Sequence, residues 1–150
     1  MDFTIVKLSD YSNAFKLLHE YNYSIACTLD ENELNVWIEK ILSIGDPLAI
    51  IINNKIIAFL LLYCNHFDTL EAYICNVYVH ESFRGNKLSQ LLVENAIDIC
   101  KSRNFKVINL DVADDNLPAK KIYTKCGFIE TKQYLNGTKK YVRMSLMLKN

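Results

Sequence analysis

Arg84, Gly85, Asn86, Lys87, Leu88 and Ser89 lie ahead of a stretch in which Leu88, Leu91, Leu92, Ala96, Ile99 and Cys100 recur at helical spacing. Two cations, a glycine and a run of backbone amides at a helix start are the ingredients of an anion site. The first-turn amides have no partners within the helix, and the helix dipole favours negative charge there. Arg84 adds a fixed positive charge, and Gly85 admits a turn that a Cβ hinders. The chemistry that suits this arrangement is the holding of a pyrophosphate. Taken alone, the same residues read first as a loop that only caps a helix.

Other reactive side chains narrow the possibilities. The five cysteines, Cys27, Cys64, Cys75, Cys100 and Cys126, form no C-x-x-C pair and are odd in number, so they read as buried thiols and not as a disulfide framework or zinc cluster. His19, His66 and His80 lack metal-ligand spacing, and no metal is assigned. Seventeen basic residues balance seventeen acidic ones, which removes the basic excess that drives sequence-independent nucleic-acid binding. The longest apolar run, Ile56 to Tyr63, is far too short to span a bilayer, and no basic-then-apolar leader opens the chain. A cytoplasmic protein with no nucleic-acid or membrane partner is expected.

The elements that must position the loop follow from periodicity. With 150 residues, 51% of them hydrophobic, one domain spanning 1–150 is expected. Phe3 to Leu8 alternates like a strand, and Asp10 is placed to cap a helix carrying Ala14, Leu17, Leu18 and Tyr21. Asp30 and Glu33 form a capping-box start for a second helix with Leu34, Trp37, Ile38, Ile41 and Leu42 on one face, ended by Gly45 and Pro47. Leu48 to Ile52 and Lys55 to Tyr63 read as antiparallel strands joined at Asn53-Asn54, a pair that tolerates positive φ. Leu70 to Val79 is the strand that runs into the Arg84 loop, and a helix from about Lys87 to Arg103 follows it. Lys106 to Val112 is the next strand. Asn116 with Pro118 starts a further helix carrying Ala119, Ile122, Tyr123 and Cys126, closed by Gly127. Phe128 to Tyr134 and Thr138 to Leu148 flank the hairpin signal Asn136-Gly137. The order is β-α-α-β-β-β-α-β-α-β-β, an α/β fold with a mixed sheet and helices on both faces.

The segment from Asn76 to Leu92, N-V-Y-V-H-E-S-F-R-G-N-K-L-S-Q-L-L, resembles the acetyl-CoA signature of the GNAT superfamily of N-acyltransferases. Asn116-Leu117-Pro118-Ala119, then Tyr123, then Cys126-Gly127-Phe128 are similar to that family's N-x-x-A…Y-x-x-x-G-F stretch, at a matching distance. The sequence departs from the family's R-x-x-G-x-G/A at two places, with Lys87 where glycine is common and Ser89 where glycine or alanine is common.

The resemblance implies a GNAT-like fold, acetyl-CoA as cosubstrate and an amine acceptor. It implies a cofactor site built from Val77, Tyr78, Val79, Arg84, Gly85, Asn86, Lys87, Leu88, Ser89, Asn116 and Tyr123. In the family the strand before the loop splays from its neighbour and pairs its backbone with the pantetheine arm, which assigns those contacts to Val77 and Val79. The Val77 amide is then the donor to the thioester carbonyl, and Tyr123 the phenol that protonates the departing thiolate. An alkylamine of pKa near 10.4 must lose a proton before it attacks, at roughly 4–5 kcal/mol at pH 7. Glu71 and Asp111 are the carboxylates to consider as base, directly or through water; each also reads as a solvated or structural carboxylate. Direct acetyl transfer to a primary amine is the implied reaction, against which stands a non-catalytic acyl-CoA-binding sensor or interaction module. The acceptor would sit against Tyr21 to Cys27 and Tyr134 to Lys140, and the chain is expected as a monomer or homodimer.

Overall fold

The computed structural model describes residues 3–21 and 29–149. Its strands are β1 (Ile5–Lys7), β2 (Asp46–Ile52), β3 (Lys55–Tyr63), β4 (Glu71–Val79), β5 (Val107–Ala113), β6 (Ile129–Asn136) and β7 (Lys139–Met147). The α-helices are α1 (Ala14–His19), α2 (Glu31–Ile44), α3 (Leu88–Ser102) and α4 (Leu117–Lys125), and short 3-10 turns occupy Leu8–Asp10 and Glu81–Phe83. The seven strands form one sheet in the order β1-β2-β3-β4-β5-β7-β6. Every neighbouring pair is antiparallel except β4 and β5. This is the mixed α/β sheet the residue pattern predicts.

Local rules account for most of the elements. In the capping box of α2 the Glu33 amide donates to Asp30 Oδ1 at 2.8 Å and the Asp30 amide to Glu33 Oε1 at 3.3 Å. Leu34, Ile38 and Ile41 then bury the stripe that the spacing predicts. The helix stops at Gly45, where a Cβ would stand 2.5 Å from Ile41 Cδ1 and 3.1 Å from the Leu62 carbonyl. Asn53 and Asn54 turn the β2–β3 hairpin with φ of 52° and 60°.

Three expectations are corrected. Asp10 does not cap α1: it lies in the 3-10 turn, and α1 starts after Asn13 without a side-chain cap. Pro47 does not terminate α2; it is the second residue of β2. The last hairpin turns at Gly137 and Thr138, with Gly137 at φ +65°, because Asn136 stays in the β6 ladder opposite Lys139.

Two apolar layers sandwich the sheet. On one face Leu88, Leu92, Val93, Ala96 and Cys100 of α3 pack on Leu60, Ile74, Leu110 and Met144, with α4 beside them through Ala119 and Tyr123. On the other face α1 and α2 cover Ala49, Phe59 and Leu61 of β2 and β3. Arg103, just past α3, pins that helix to the sheet: it donates to Asp46 at 2.6 and 2.8 Å and to the Cys64 carbonyl at 3.0 Å. Asp46 is 4% exposed. Cys64, Cys75, Cys100 and Cys126 are free thiols, and Cys27 lies outside the described residues. Among the described residues no helix is long and apolar enough to cross a membrane.

Candidate functional site

The site begins with an irregularity in β4. Opposite β3, Leu61 pairs with Asn76 and Leu62 with Ile74, so Cys75 is an extra, bulged residue. Ala72 and Ile74 face the α3 layer before the bulge, and Val77 and Val79 face it afterwards. Side chains alternate along a strand, so the bulge shifts that parity by one.

Beyond the bulge the ladder between β4 and β5 ends, and no other strand among the described residues pairs with that edge of β4. The parallel pairing with β5 runs from Glu71 opposite Val107 to Ile74 opposite Leu110 and stops there. The His80 amide donates to the Ile57 carbonyl at 2.7 Å. Antiparallel ladders alternate, so the amides of Val77 and Val79 turn away from β3 and toward the side where β5 has diverged.

At the end of β4 the chain makes the turn that starts α3. The His80 ring nitrogen Nδ1 accepts from the Ser82 amide at 3.1 Å, and Asn86 Nδ2 donates to the Phe83 carbonyl at 2.9 Å. Gly85 has φ +88° with open space where a Cβ would be, so glycine is favoured there by backbone conformation and not by a neighbour. Lys87 stands at the N-cap of α3 with φ 59° and ψ 30°, the left-handed region that glycine adopts without strain. The Arg84 side chain is exposed, and its Nε donates to the Val79 carbonyl at 3.2 Å.

A cavity of about 720 Å³ opens between this loop and α4. Val77, Tyr78 and Val79 form one wall, Arg84, Gly85, Lys87, Leu88 and Ser89 a second, and Asn116, Ala119 and Ile122 belong to a third. Asn116 caps α4, its Oδ1 accepting from the Ala119 amide at 3.3 Å. Of the eleven expected cofactor positions nine line the cavity and two do not: Asn86, which is turned to Phe83, and Tyr123. The Tyr123 ring packs against Phe128, centroids 6.0 Å apart, and against the α3 layer. Burial pushes its phenol up to about 12. Lys121 and Lys125 line the cavity as well and were not anticipated; their i, i+4 spacing was the available signal.

The expected carboxylates lie on the opposite face of the sheet, and the structure does not bring them together as a free base. Asp111 is just past the last β4–β5 pair, where it accepts from Arg143 Nε and Nη2, both at 3.0 Å, and from the Tyr73 hydroxyl at 2.6 Å. Burial alone would raise its carboxyl, but the hydrogen bonds and charge of Arg143, with the Tyr73 hydroxyl, outweigh this and hold it below the usual range. Burial and Asp111 raise the Tyr73 phenol. Glu71 is exposed at the start of β4, four residues before the bulge and so roughly 13 Å from it along the strand. Burial lifts the Cys75 thiol to about 12, which keeps it neutral and unreactive as a nucleophile.

A second cavity, about 910 Å³, lies on the α1 side of the β4 end, against Tyr21, Ile56, His80 and Glu81, and shares Tyr78, Phe83 and Arg84 with the first. Of the two stretches expected to meet an acceptor, Tyr21 to Cys27 lies outside the described residues except for Tyr21 itself. In the other, Tyr134 stacks on Tyr141 with centroids 5.8 Å apart.

Known proteins resemble this chain in sequence and in fold. The model of the acetyltransferase (GNAT) family matches residues 12–128. N-alpha-acetyltransferase 30 of Schizosaccharomyces pombe is 32% identical over 74 residues, which are 47% of this chain and 49% of that protein. The chain spans about half the length, or somewhat less, of the curated relatives it matches. Among solved structures, the ribosomal-protein-S18-alanine N-acetyltransferase of Escherichia coli superposes with a TM-score of 0.78 at 19% identity, over 97% of this chain and 94% of that one. The structure of the NatC complex bound to Gag peptide and CoA contains a chain that superposes with a TM-score of 0.79 at 20% identity, over 99% of this chain and 100% of that one. At such identities the likeness is one of fold.

Proposed function

This chain belongs to the acetyltransferase (GNAT) family, and from that premise we propose that it moves an acetyl group from acetyl-CoA to a primary amine by direct attack. The observation that carries the reading is the cavity between the Arg84–Ser89 loop and α4, which meets β4 past the point where its ladder with β5 ends. Its volume of about 720 Å³ is in the range of cofactor sites. Acetyl-CoA is the cosubstrate, and it supplies the acyl group as an activated thioester.

The protein's residues divide the work. The amides of the Arg84–Ser89 loop, with the Arg84 guanidinium, hold the pyrophosphate. The free edge of β4 at Val77 and Val79 pairs with the pantetheine arm, and the Val77 amide is the donor aimed at the carbonyl oxygen on which charge develops. Asn116 orders the start of α4. Tyr123 keeps its proton at neutral pH and donates a hydrogen bond through it to the departing sulfur. No enzyme thiol takes part, in keeping with the neutral Cys75.

The engaged state of Asp111 bears on the acceptor. With Arg143 and Tyr73 occupying its carboxylate, and with no Asp or Glu in the sequence of residues 22–28, the site is better matched to an amine that is partly unprotonated near pH 7. An α-amino group, with a pKa of about 7.7–8.0, needs roughly 3 kcal/mol less help than a lysine side chain near 10.4. We therefore assign a peptide or protein N-terminus as acceptor, in line with the names of the relatives above. The same observation supports a second reading, a non-catalytic acyl-CoA-binding module. Following CoA release from acetyl-CoA across a panel of free amines, polyamines and short peptides separates them. Turnover with peptides, faster for free than for N-terminally blocked ones, supports the first; CoA binding without turnover on any amine supports the second.

A further inference from the structure

Half of one sheet face has no helix over it. Among the described residues, the apolar layer under α1 and α2 draws on β1 to β4 and on no residue of β5, β6 or β7. On β5 and β7, Leu110, Val112, Val142 and Met144 point into the α3 layer, so the alternate residues Asp111, Tyr141 and Arg143 point the other way. Lys132 and Tyr134 join them, since they stand opposite Arg143 and Tyr141 in the β6–β7 ladder. Hydrogen bonds tie this face together: Asp111 accepts from Tyr73 of β4, Arg143 of β7 and Tyr134 of β6.

The charge on this face is positive. The Lys132 ammonium sits 5.8 Å from the centre of the Tyr134 ring and the Lys139 ammonium 5.9 Å from that of Tyr141, while the two rings stack on each other at 5.8 Å. The ring quadrupoles hold both cations in place at the surface. Among the described residues neither lysine has a carboxylate within ion-pair distance, whereas Lys120 and Lys140 are paired with Asp114. Of the two strand carboxylates on this face, Asp111 is taken by Arg143. The other, Glu71, lies four residues back along the strands, roughly 13 Å away. The balanced net charge conceals this placement. Residues 101–150 hold eleven Lys and Arg against four Asp and Glu, and the preceding hundred hold six against thirteen.

We propose that Lys132 and Lys139 select acceptor chains that carry aspartate or glutamate within about their first five residues. The inference rests on the N-terminal acceptor read above and assigns that acceptor a charge. Three strand spacings of about 4.8 Å separate β6 from β4, which places Lys132 about 14 Å from the bulge. At about 3.3 Å per residue, an extended peptide whose amine stands at the bulge reaches Lys132 with its fourth or fifth residue. A carboxylate there meets two cations that have no other partner, whereas a basic peptide meets like charge without compensation. The ring faces of Tyr134 and Tyr141 are taken up by each other and by the lysines, so the hairpin offers charge and not a free stacking platform for nucleic-acid bases.

The test is acetylation, by the full chain, of three short peptides with free N-termini that share their first two residues and carry glutamate, glutamine or lysine at the third to fifth. For the wild type, kcat/KM is expected on the order of tenfold higher for the glutamate than for the glutamine peptide, mainly through KM, with the gap narrowing as salt rises. The lysine peptide should be the poorest. Lys132→Ala/Lys139→Ala is expected to bring the glutamate-to-glutamine ratio within about twofold of one, and Lys132→Glu/Lys139→Glu to favour the lysine peptide. Lys101→Ala/Lys106→Ala, which removes two charges elsewhere, should keep the wild-type ratio. Equal kcat/KM for the three peptides overturns the proposal and leaves the N-terminal acceptor reading standing. An alanine variant that slows all three alike also overturns it, since that reports the packing of the hairpin. If the peptides are equivalent and a single-stranded RNA oligonucleotide binds the wild type but not the alanine variant, the lysines serve nucleic acid and the proposal is likewise overturned. If no peptide is acetylated, the N-terminal acceptor reading falls and this inference falls with it.

Discussion

Replacing Tyr123 by phenylalanine removes one hydroxyl and keeps the ring that packs on Phe128 at 6.0 Å. The fold should therefore change by no more than about 1 kcal/mol. The phenol is held at about 12, some two units above its ordinary value, by burial; two units correspond to about 2.7 kcal/mol against the phenolate. Complete transfer of that proton to a thiolate with a pKa near 8.5 is uphill by roughly 5 kcal/mol. In the role proposed for it, the hydroxyl would therefore keep its proton and hydrogen-bond the sulfur as charge accumulates there, an interaction of about 1.5–3 kcal/mol. This corresponds to a rate loss of roughly 10- to 150-fold for Tyr123→Phe. Single-turnover acetylation of the best amine between pH 6 and pH 10 is the assay, with CoA affinity measured beside it. The variant should bind CoA within about twofold of wild type, and the rate ratio should stay level up to pH 10. Equal single-turnover rates would refute the role of the hydroxyl. A ratio that collapses between pH 8 and pH 10 would show the phenol titrating near its ordinary value, and the burial argument would fail.

Lys87→Gly should stabilise the protein by about 0.5–1 kcal/mol, since it relieves a left-handed residue at φ 59° and the gain exceeds the added freedom of the unfolded chain; a lower urea midpoint for the variant would contradict this. Gly45→Ala should cost about 1–3 kcal/mol, because its Cβ meets the Ile41 carbonyl at 2.7 Å as well as the Ile41 side chain, and the melting temperature should fall by several degrees. Asp46 is buried yet held below its usual carboxylate value by Arg103 and Lys7, which overcome the effect of burial. A depressed folded-state pKa contributes stability above the unfolded value of about 3.9 that is lost as pH falls through the folded value. Asp46→Asn should thus be less stable than wild type at pH 7, with the difference shrinking below about pH 4; urea unfolding that shows a constant difference from pH 3 to pH 7 would contradict the assignment.

What could be read from the sequence was local. The Asp30/Glu33 capping box, the Asn53-Asn54 turn, the Asn116 cap and the apolar stripe of α3 each depend on residues a few positions apart, and all stand as the pattern suggests. The bulge at Cys75 left no trace in the alternation of β4, because Cys, Val and Tyr are compatible with either face. The engagement of Asp111 depends on Arg143, 32 residues away, which reaches it only because β7 inserts beside β5. Asp46 and Arg103 are 57 residues apart and meet for the same kind of reason. The departure at Lys87 was visible as a residue type, but its meaning, an l-amino acid held at positive φ, depends on the backbone. The Arg84–Ser89 loop was legible as a string of residues, whereas the α4 lysines that line the same cavity required the third dimension.

The place of β7 between β5 and β6 also bears on how the chain folds as it is made. β6 leaves the ribosome before the strand that must separate it from β5, so it cannot settle at its native position when it emerges. Leu110 and Val112 lack their partners Met144 and Val142 until synthesis has passed them. At 5–20 residues per second, the 34 residues from Ala113 to Met147 take about 2–7 s to add. Through that interval the outer edge of β5 is open, a hydrogen-bonding ladder bordered by apolar side chains. Premature pairing there, with β6 or with a neighbouring nascent chain, is the misfolding route this topology invites, and a chaperone that recognises extended apolar segments has its substrate ready-made at that stage.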